Sequence, residues 1–215
     1  GVGARPGGLL LGGPAWARVV RGGRARQLQG RGYQEAVTYS FVDDALQAEL
    51  LGTPPVVPLD NPIAADMGVM RVSLIPGLIG ALRRNLNHQN ARVRLYETGR
   101  CFLRGADGIV IEQPERLGLL AAGPAFGVHW SDERRPVDFY DVKGDIENVL
   151  ALRRRPLRFE PVEHPALHPG RAARIVSDGT DLGVLGELHP RLAARLDLPA
   201  GVHLAELELD AVLSG

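Results

Sequence analysis

The stretch that decides the fold is residues 73–103, SLIPGLIGALRRNLNHQNARVRLYETGRCFL, in which a helical pattern gives way to a strand pattern. Leucines recur at every fourth residue from Leu74 to Leu86, so they form one apolar stripe along an amphipathic helix. Ser73 stands where an N-cap belongs, and Pro76 falls in the first turn, where a missing N–H is tolerated. The segment therefore predicts a helix that begins near Ser73 and packs one face on a core.

The rest of the chain is dominated by strand patterns. Residues 92–103 alternate like a strand and return through a turn at 105–108 into residues 109–112, which predicts a hairpin. Further strands are predicted at 32–42, 56–59, 117–122, 174–187 (folded at Asp178-Gly179) and 203–212, and further helices at 45–51 after an Asp43 cap and at 142–150 after an Asp141 cap. Because the strands cluster instead of alternating with helices, we predict an α+β fold, an antiparallel sheet with helices on one face.

Composition excludes several classes of protein. The 215 residues carry 25 basic and 25 acidic side chains, and a balanced charge argues against a free-standing nucleic-acid binder. The single cysteine, Cys101, excludes an internal disulfide framework, and we expect it to be a buried strand residue. The longest apolar stretch, residues 117–128, is too short and too interrupted to span a bilayer, so no membrane association is expected.

Motifs for nucleotides and metals are weak. Neither a dinucleotide fingerprint nor a P-loop occurs in the sequence. His164 and His168 have the spacing of a zinc-chelating pair on a helix, but Pro165 and Pro169 follow them directly and forbid that helix. No metal site is therefore predicted.

One acidic group allows two interpretations. It consists of Asp138, Asp141, Lys143, Asp145 and Glu147. Clustered carboxylates beside a lysine suit Mg²⁺ binding or acid–base chemistry, whereas the start of a capped helix also favours acidic residues. We favour the helix start.

Several phrases, taken in order, resemble one family. The sequence resembles the catalytic-like core domain of the beta chain of bacterial phenylalanyl-tRNA synthetase in the phrases GYQEAVTYSF, LDNPIAADMGVMRVSLIPGLIGALRRNL, VRLYETGRCF, VDFYDVKGDIENVL, HPGRAA, LGELHP and AELELDAV. The match covers about Gly30 to Val212. We therefore expect a core domain over 31–213, preceded by a poorly matching lead-in over 1–30 that is partly helical or flexible.

The resemblance implies a class II aminoacyl-tRNA synthetase-like antiparallel sheet flanked by helices, in a domain that has lost its chemistry. Of the first class II signature, Gly32 and Tyr33 are present, but Tyr39 or Ser40 replaces the proline. In the second signature, Leu103 replaces the arginine that grips the ATP phosphate. The third signature contains glycines and an arginine, and the corresponding segment of this chain, AELELDAV, has neither. No catalytic or cofactor-binding residue is predicted, because losing such contacts removes large factors of rate.

The resemblance also implies partners. It predicts a cytoplasmic, non-catalytic scaffold domain that pairs with the alpha subunit in an alpha2beta2 phenylalanine-tRNA ligase. That holoenzyme uses ATP and Mg²⁺ to charge tRNA(Phe), and this domain is expected to bind neither ATP nor Mg²⁺. The candidate interface residues are Tyr33, Leu78, Leu82 and Arg83. Two alternatives remain: an independent RNA-binding module, and an active class II-like enzyme using the acidic group from Asp138 to Glu147.

Overall fold

The computed structural model describes residues 23, 25–64, 66–105, 108, 111–127, 135–151 and 155–213. The helices are α1 (residues 25–30), α2 (Asp44–Leu51), α3 (Ile75–Asn87), α4 (Phe139–Leu150), α5 (Pro190–Arg195) and α6 (Leu209–Leu213). The strands are β1 (Gln34–Glu35), β2 (Phe41–Val42), β3 (Val69–Met70), β4 (Val93–Arg100), β5 (Leu103–Arg104), β6 (Ile111–Glu112), β7 (Glu115–Ala122), β8 (Arg158–Pro161), β9 (Leu167–Ser177), β10 (Thr180–Leu188) and β11 (His203–Glu208).

One seven-stranded sheet organises the chain, in the order β1-β4-β7-β11-β10-β9-β8. Every neighbouring pair in it is antiparallel except β1 with β4, which is parallel. The turn between β9 and β10 has positive φ at Asp178 (49°) and Gly179 (78°), as a tight hairpin requires. The predicted antiparallel sheet is confirmed, and two short ribbons, β2-β3 and β5-β6, accompany it.

The helix α3 covers one face of the sheet. Its stripe of Leu78, Ile79 and Leu82 is fully buried and packs with Leu95 and Leu204 of the strands. The approach is close, because a Cβ built on Gly118 of β7 would lie 2.8 Å from a methyl of Leu78. Pro76 lies in the first turn, as predicted.

The other face of the sheet is covered as well, so the prediction of helices on one face is wrong. Val142, Ile146 and Val149 of α4 form a second core with α1, α6 and sheet residues such as Tyr96 and Leu119. Successive residues of a strand point to opposite faces, and both faces of β4 are apolar over Leu95 and Tyr96 because both are covered.

Helix starts differ slightly from the sequence prediction. Helix α2 is capped by Asp43 as predicted, with its carboxylate accepting from the amide of Ala45 at 2.8 Å. Helix α4 begins earlier than predicted, because Asp138 is its N-cap and Asp141 is the third residue of a reciprocal capping box. Leu74 occupies the N-cap position of α3, although the Ser73 hydroxyl still accepts from the amide of Ile75 at 3.1 Å.

Four strand predictions need correction. The strand predicted over 92–103 is divided into β4 and β5, which lie in different sheets, and only β5 pairs with β6 in the predicted hairpin, of which residues 106, 107, 109 and 110 lie outside the described residues. Residues 56–59 form only an isolated bridge between Pro58 and Val69, since prolines cannot donate to a ladder. The stretch 32–42 splits into β1 and β2, which lie in different sheets. The last strand stops at Glu208, and α6 follows it.

The structure describes only part of the lead-in predicted over 1–30. Residues 1–22 and 24 lie outside the described residues. Residues 25–30 form α1, and Leu28 within it is fully buried in the second core. The packed domain thus extends before residue 31.

Candidate functional site

A buried ion pair lies between the start of α3 and the sheet, on the face that α3 covers. An Nη of Arg71 donates to a carboxylate oxygen of Glu97 at 2.7 Å, and both side chains are about 95% or more buried. Arg71 also donates to the Thr38 hydroxyl at 3.2 Å and to the Arg100 carbonyl at 2.9 Å. The guanidinium therefore ties three segments of the chain together: the one that follows β3, the one that follows β1, and β4.

A glycine makes room for this pair. A Cβ built on Gly99 would lie 2.1 Å from an Nη atom of Arg71, which is far inside van der Waals contact. The glycine that the family phrase YETGRCF supplies is thus explained by packing against Arg71.

A second buried carboxylate, Glu206 of β11, anchors the start of α3. One of its oxygens accepts from the Ser73 hydroxyl at 2.9 Å and from the Leu74 amide at 2.6 Å. The other accepts from an Nη of Arg116 at 2.7 Å. Burial alone would lower the pKa of Arg116, but the charges of Glu206 and Glu208 outweigh it and raise that pKa. These contacts hold α3 against the sheet.

A groove of about 360 Å³, here called the Glu206 groove, lies beside Glu206 on this face. It is lined by Arg116, His164, Asp181, Gly183, Val184, Glu206 and Glu208. Its three carboxylates face one arginine, which is already bonded to Glu206 and lies 3.2 Å from Glu208. Such a lining repels a triphosphate. Burial lowers the pKa of His164, so that ring favours its neutral form.

Leu103 is not among the residues that line this groove. It belongs to β5 and pairs with Glu112 of β6 in the short ribbon that follows β4. Cys101 lies between β4 and β5, so the prediction that it is a strand residue is wrong, whereas its predicted burial is confirmed. Burial raises its thiol pKa to about 12. A thiol with so high a pKa is a poor nucleophile at neutral pH.

The structure changes the predicted interface. Tyr33, Leu78 and Leu82 are 0–2% exposed, so this chain's own core covers them and no partner can contact them without unfolding it. Leucines repeating along a helix mark a buried stripe, and here that stripe serves the sheet of the same chain. Tyr33 donates to Asp145 at 2.8 Å, and burial with the charge of Asp145 raises its pKa far above the usual value. Among the four, only Arg83 is exposed.

Other side chains supply exposed apolar surface. Val37 and Tyr39 are 88% and 65% exposed on the segment between β1 and β2, while Thr38 between them points inward to Glu97. This segment continues β1, which is an edge strand of the large sheet. An exposed apolar pair along a sheet edge is typical of an interaction surface.

The acidic group serves the helix α4, as favoured above. Asp138 and Asp141 form the capping box, and Arg135 binds Asp141 through two hydrogen bonds of 2.6 and 2.7 Å. This arginine holds the pKa of Asp141 at about 2. The remaining members are also paired: Lys143 with Glu147 at 2.7 Å, and Asp145 with Tyr33 and two arginines.

His164 and His168 lie in a segment in which a proline follows each of them. His164 accepts from the amide of Ala166 at 3.1 Å, and His168 accepts from the amide of Gly170 at 3.0 Å. Within the described ranges, no group of three or more His, Cys, Asp or Glu side chains could hold a metal ion. The helices in those ranges include none that is long and apolar enough to cross a membrane.

Sequence reasoning missed the buried ion pairs. Glu97 and Glu206 alternate with apolar residues, which is the pattern of a strand with one solvent-exposed face. Both carboxylates are buried because helices cover both faces of the large sheet, which the sequence pattern does not show. The signal available was Gly99, the single glycine among the larger residues of β4.

Comparison with known proteins agrees with this fold. Residues 12–209 match the family model described as phenylalanyl tRNA synthetase beta chain CLM domain. The phenylalanine–tRNA ligase beta subunit of Dechloromonas aromatica is 48% identical over 196 residues, which cover 88% of this chain and 24% of that protein. The beta subunit of Burkholderia lata is 46% identical over 194 residues, covering 87% and 24%. The chain thus spans about a quarter of the length of these relatives.

A solved structure shows that the similarity also holds for the fold. A pyrrolysyl tRNA synthetase from Desulfitobacterium hafniense superposes with a TM-score of 0.70 at 15% identity, over 93% of this chain and 66% of that one. The architecture is that of class II tRNA synthetases, which confirms the predicted fold class. Together with the family model and the relatives, these findings show that the chain belongs to the phenylalanyl-tRNA synthetase beta chain family.

Proposed function

We propose that this domain is a non-catalytic scaffold of phenylalanine-tRNA ligase, which supports ATP-dependent charging of tRNA(Phe) by an alpha subunit in an alpha2beta2 assembly in the cytoplasm. ATP and Mg²⁺ would be used by the assembly and not by this domain. The observation that carries the proposal is the sheet face beneath α3, where two ion-paired carboxylates and the start of α3 occupy the space.

Charge supports this assignment. A nucleotide site needs unpaired cations or amide donors aimed at the phosphates. In the Glu206 groove, the lining arginine is engaged by Glu206 and Glu208, and a third carboxylate, Asp181, adds further negative charge. An incoming triphosphate would face net repulsion and would have to break a buried ion pair.

The surface between β1 and β2 supports pairing with another subunit. Val37 and Tyr39 are exposed, whereas the intervening Thr38 is fixed by hydrogen bonds of 3.2 and 2.8 Å to Glu97. The segment is therefore held in a defined conformation with its apolar side chains outward. Preorganised apolar surface of this kind lowers the entropic cost of association.

Co-expression of the full-length beta chain with its alpha subunit tests the proposal. Tyr39→Asp places a charge in the proposed contact, so the alpha–beta complex should be lost or weakened in size-exclusion chromatography with light scattering. The matched control is Phe126→Asp, since Phe126 is also exposed (53%) but follows β7 at the opposite end of β4. Equal assembly by Tyr39→Asp and wild type would contradict this interface.

A further inference from the structure

A second cavity, of about 330 Å³, lies on the other side of the sheet from the Glu206 groove, between the start of β4 and the first turns of α4. We call it the Arg92 pocket and define it by Arg31, Arg92, Arg94, Phe126, Tyr140 and Asp145. It thus brings arginines and two exposed aromatic rings together in one small space. Its volume lies at the lower end of the range for small-molecule sites.

The carboxylates of this pocket are already engaged. Asp145 accepts from Tyr33 at 2.8 Å, is bonded by the Nε of Arg31, and lies 3.6 Å from an Nη of Arg94. Asp141, on the same rim, is bound by Arg135 through two hydrogen bonds. Both carboxylates are thus bonded to other groups, and Asp145 acts on the remaining cation of the pocket through its charge alone.

Arg92 is the arginine of the pocket that is left without a carboxylate bonded to it. Among the described residues it has no carboxylate partner, and its one hydrogen bond runs from an Nη to the Ala125 carbonyl at 3.5 Å, the limit of such a contact. Its Nε is buried and without a partner in the described part of the chain. Burial, and then the charge of Arg94, lower the pKa of Arg92, as expected where positive charges crowd together.

Arg94, which lies 3.6 Å from Asp145, is more deeply buried than Arg92. It is 6% exposed, lines the pocket, and donates to the Ala125 carbonyl at 3.0 Å. Within the described residues its Nε has no partner. Buried donors of this kind normally find an acceptor, so their presence here points to a ligand that supplies one.

The aromatic rings indicate what else the ligand carries. Tyr140 is 76% exposed and Phe126 is 53% exposed, and both line the pocket beside the arginines. A planar base stacks on such rings while its phosphate binds arginine. Arg135 lies over the Phe126 ring, 5.2 Å from its centroid, and Phe139 meets Tyr140 edge to face at 5.6 Å, yet both rings keep exposed surface. An acidic peptide would satisfy the arginines but would make no use of that exposed aromatic surface.

We propose that the Arg92 pocket binds one nucleotide, with the phosphate on Arg92 and the base against Tyr140 or Phe126. The nucleotide is either a free mononucleotide or an unpaired residue of an RNA strand. The site lies across the sheet from the Glu206 groove, and it does not depend on the scaffold role proposed above. A single small site of this kind is compatible with a chain of zero net charge.

The test uses the full-length chain and two probes, adenosine 5′-monophosphate in calorimetry and a labelled unstructured RNA of about 12 nucleotides in fluorescence anisotropy. Arg92→Gln should weaken binding about tenfold or more, because a charge-assisted hydrogen bond is lost. Tyr140→Leu should weaken it about fivefold or more through lost stacking. Arg158→Gln is the matched control, since Arg158 is exposed on the far edge strand β8.

The outcomes separate the possibilities. Binding of both probes with these sensitivities supports a nucleotide site, and binding of RNA alone assigns it to a polynucleotide, with a salt slope reduced by about 0.7 in Arg92→Gln. Binding of adenosine 5′-monophosphate alone assigns it to a free nucleotide. The proposal is overturned if neither probe binds, if Arg92→Gln matches Arg158→Gln, if Tyr140→Leu has no effect, or if a hexaglutamate peptide competes as well as the nucleotide.

Discussion

Removal of Arg71 tests most directly how much the buried ion pair beneath α3 contributes to the free energy of unfolding. In Arg71→Met the Glu97 carboxylate stays in the interior, where its side chain is 3% exposed, and Thr38 is its one other hydrogen-bond partner among the described residues. Removing one partner of a buried pair costs about 3–5 kcal/mol. The Arg100 carbonyl also loses the donor that lies 2.9 Å from it. We therefore expect the free energy of unfolding to fall by about 3–5 kcal/mol.

Urea unfolding followed by far-UV circular dichroism measures this change. With a dependence of about 2 kcal/mol per molar urea, the midpoint should fall by roughly 1.5–2.5 M. The control is Arg174→Met, because Arg174 pairs with Glu160 at 3.0 Å on the surface, with side chains 46% and 39% exposed. Exposed pairs contribute about 0–1 kcal/mol, so the control should barely move the midpoint.

A double variant separates the lost pair from the stranded charge. Arg71→Met with Glu97→Met leaves no buried charge, and apolar replacements of both partners are often neutral. It should be more stable than Arg71→Met alone. The reasoning is refuted if Arg71→Met is no more destabilising than Arg174→Met, or if the two substitutions simply add.

Three further predictions concern packing and caps. Gly118→Ala should destabilise by about 1–3 kcal/mol through overpacking, because its Cβ would lie 2.8 Å from Leu78, whereas Gly144→Ala, with nothing within 4 Å, should stabilise α4 by about 0.5–1 kcal/mol in thermal unfolding. Asp138→Ala should cost about 1 kcal/mol in urea unfolding, since it removes the cap of α4, and an unchanged midpoint would contradict the capping box. The pKa of Asp141 is lowered from 3.8 to about 2, so its ionised form stabilises the fold above pH 3.8 and this contribution is lost towards pH 2. The stability difference between wild type and Asp141→Asn should therefore shrink across that interval, and a constant difference would rule out the Arg135 pairing.

The sequence could predict the elements whose signal is local. The stripe from Leu74 to Leu82, the Asp43 cap and the turn at Asp178-Gly179 each follow from periodicity or backbone preference, and the structure has all three. Local pattern does not tell which face of an element is covered. For that reason the sequence predicts Tyr33, Leu78 and Leu82 as interface residues, although the core of the same chain buries them.

Long-range pairing explains the other differences. The contacts of Glu206 with Ser73 and Arg116 join residues that are 133 and 90 positions apart, and no local pattern specifies such contacts. The Arg92 pocket likewise combines β4, the segment after β7 and α4. A sequence can suggest that charges are balanced overall, but only the fold shows that Arg92 is left without a carboxylate among the described residues.

Photoaffinity labelling with 8-azido-ATP tests the central claim, that the sheet face beneath α3 is structural and does not hold a nucleotide. The alpha–beta complex is labelled in the presence of Mg²⁺, digested and mapped by mass spectrometry, so that label on the alpha subunit serves as the internal positive control. We predict label on the alpha subunit and none on peptides from β10 or β11 that line the Glu206 groove. ATP-protectable label on Gly183, Val184 or Glu206 would contradict the account.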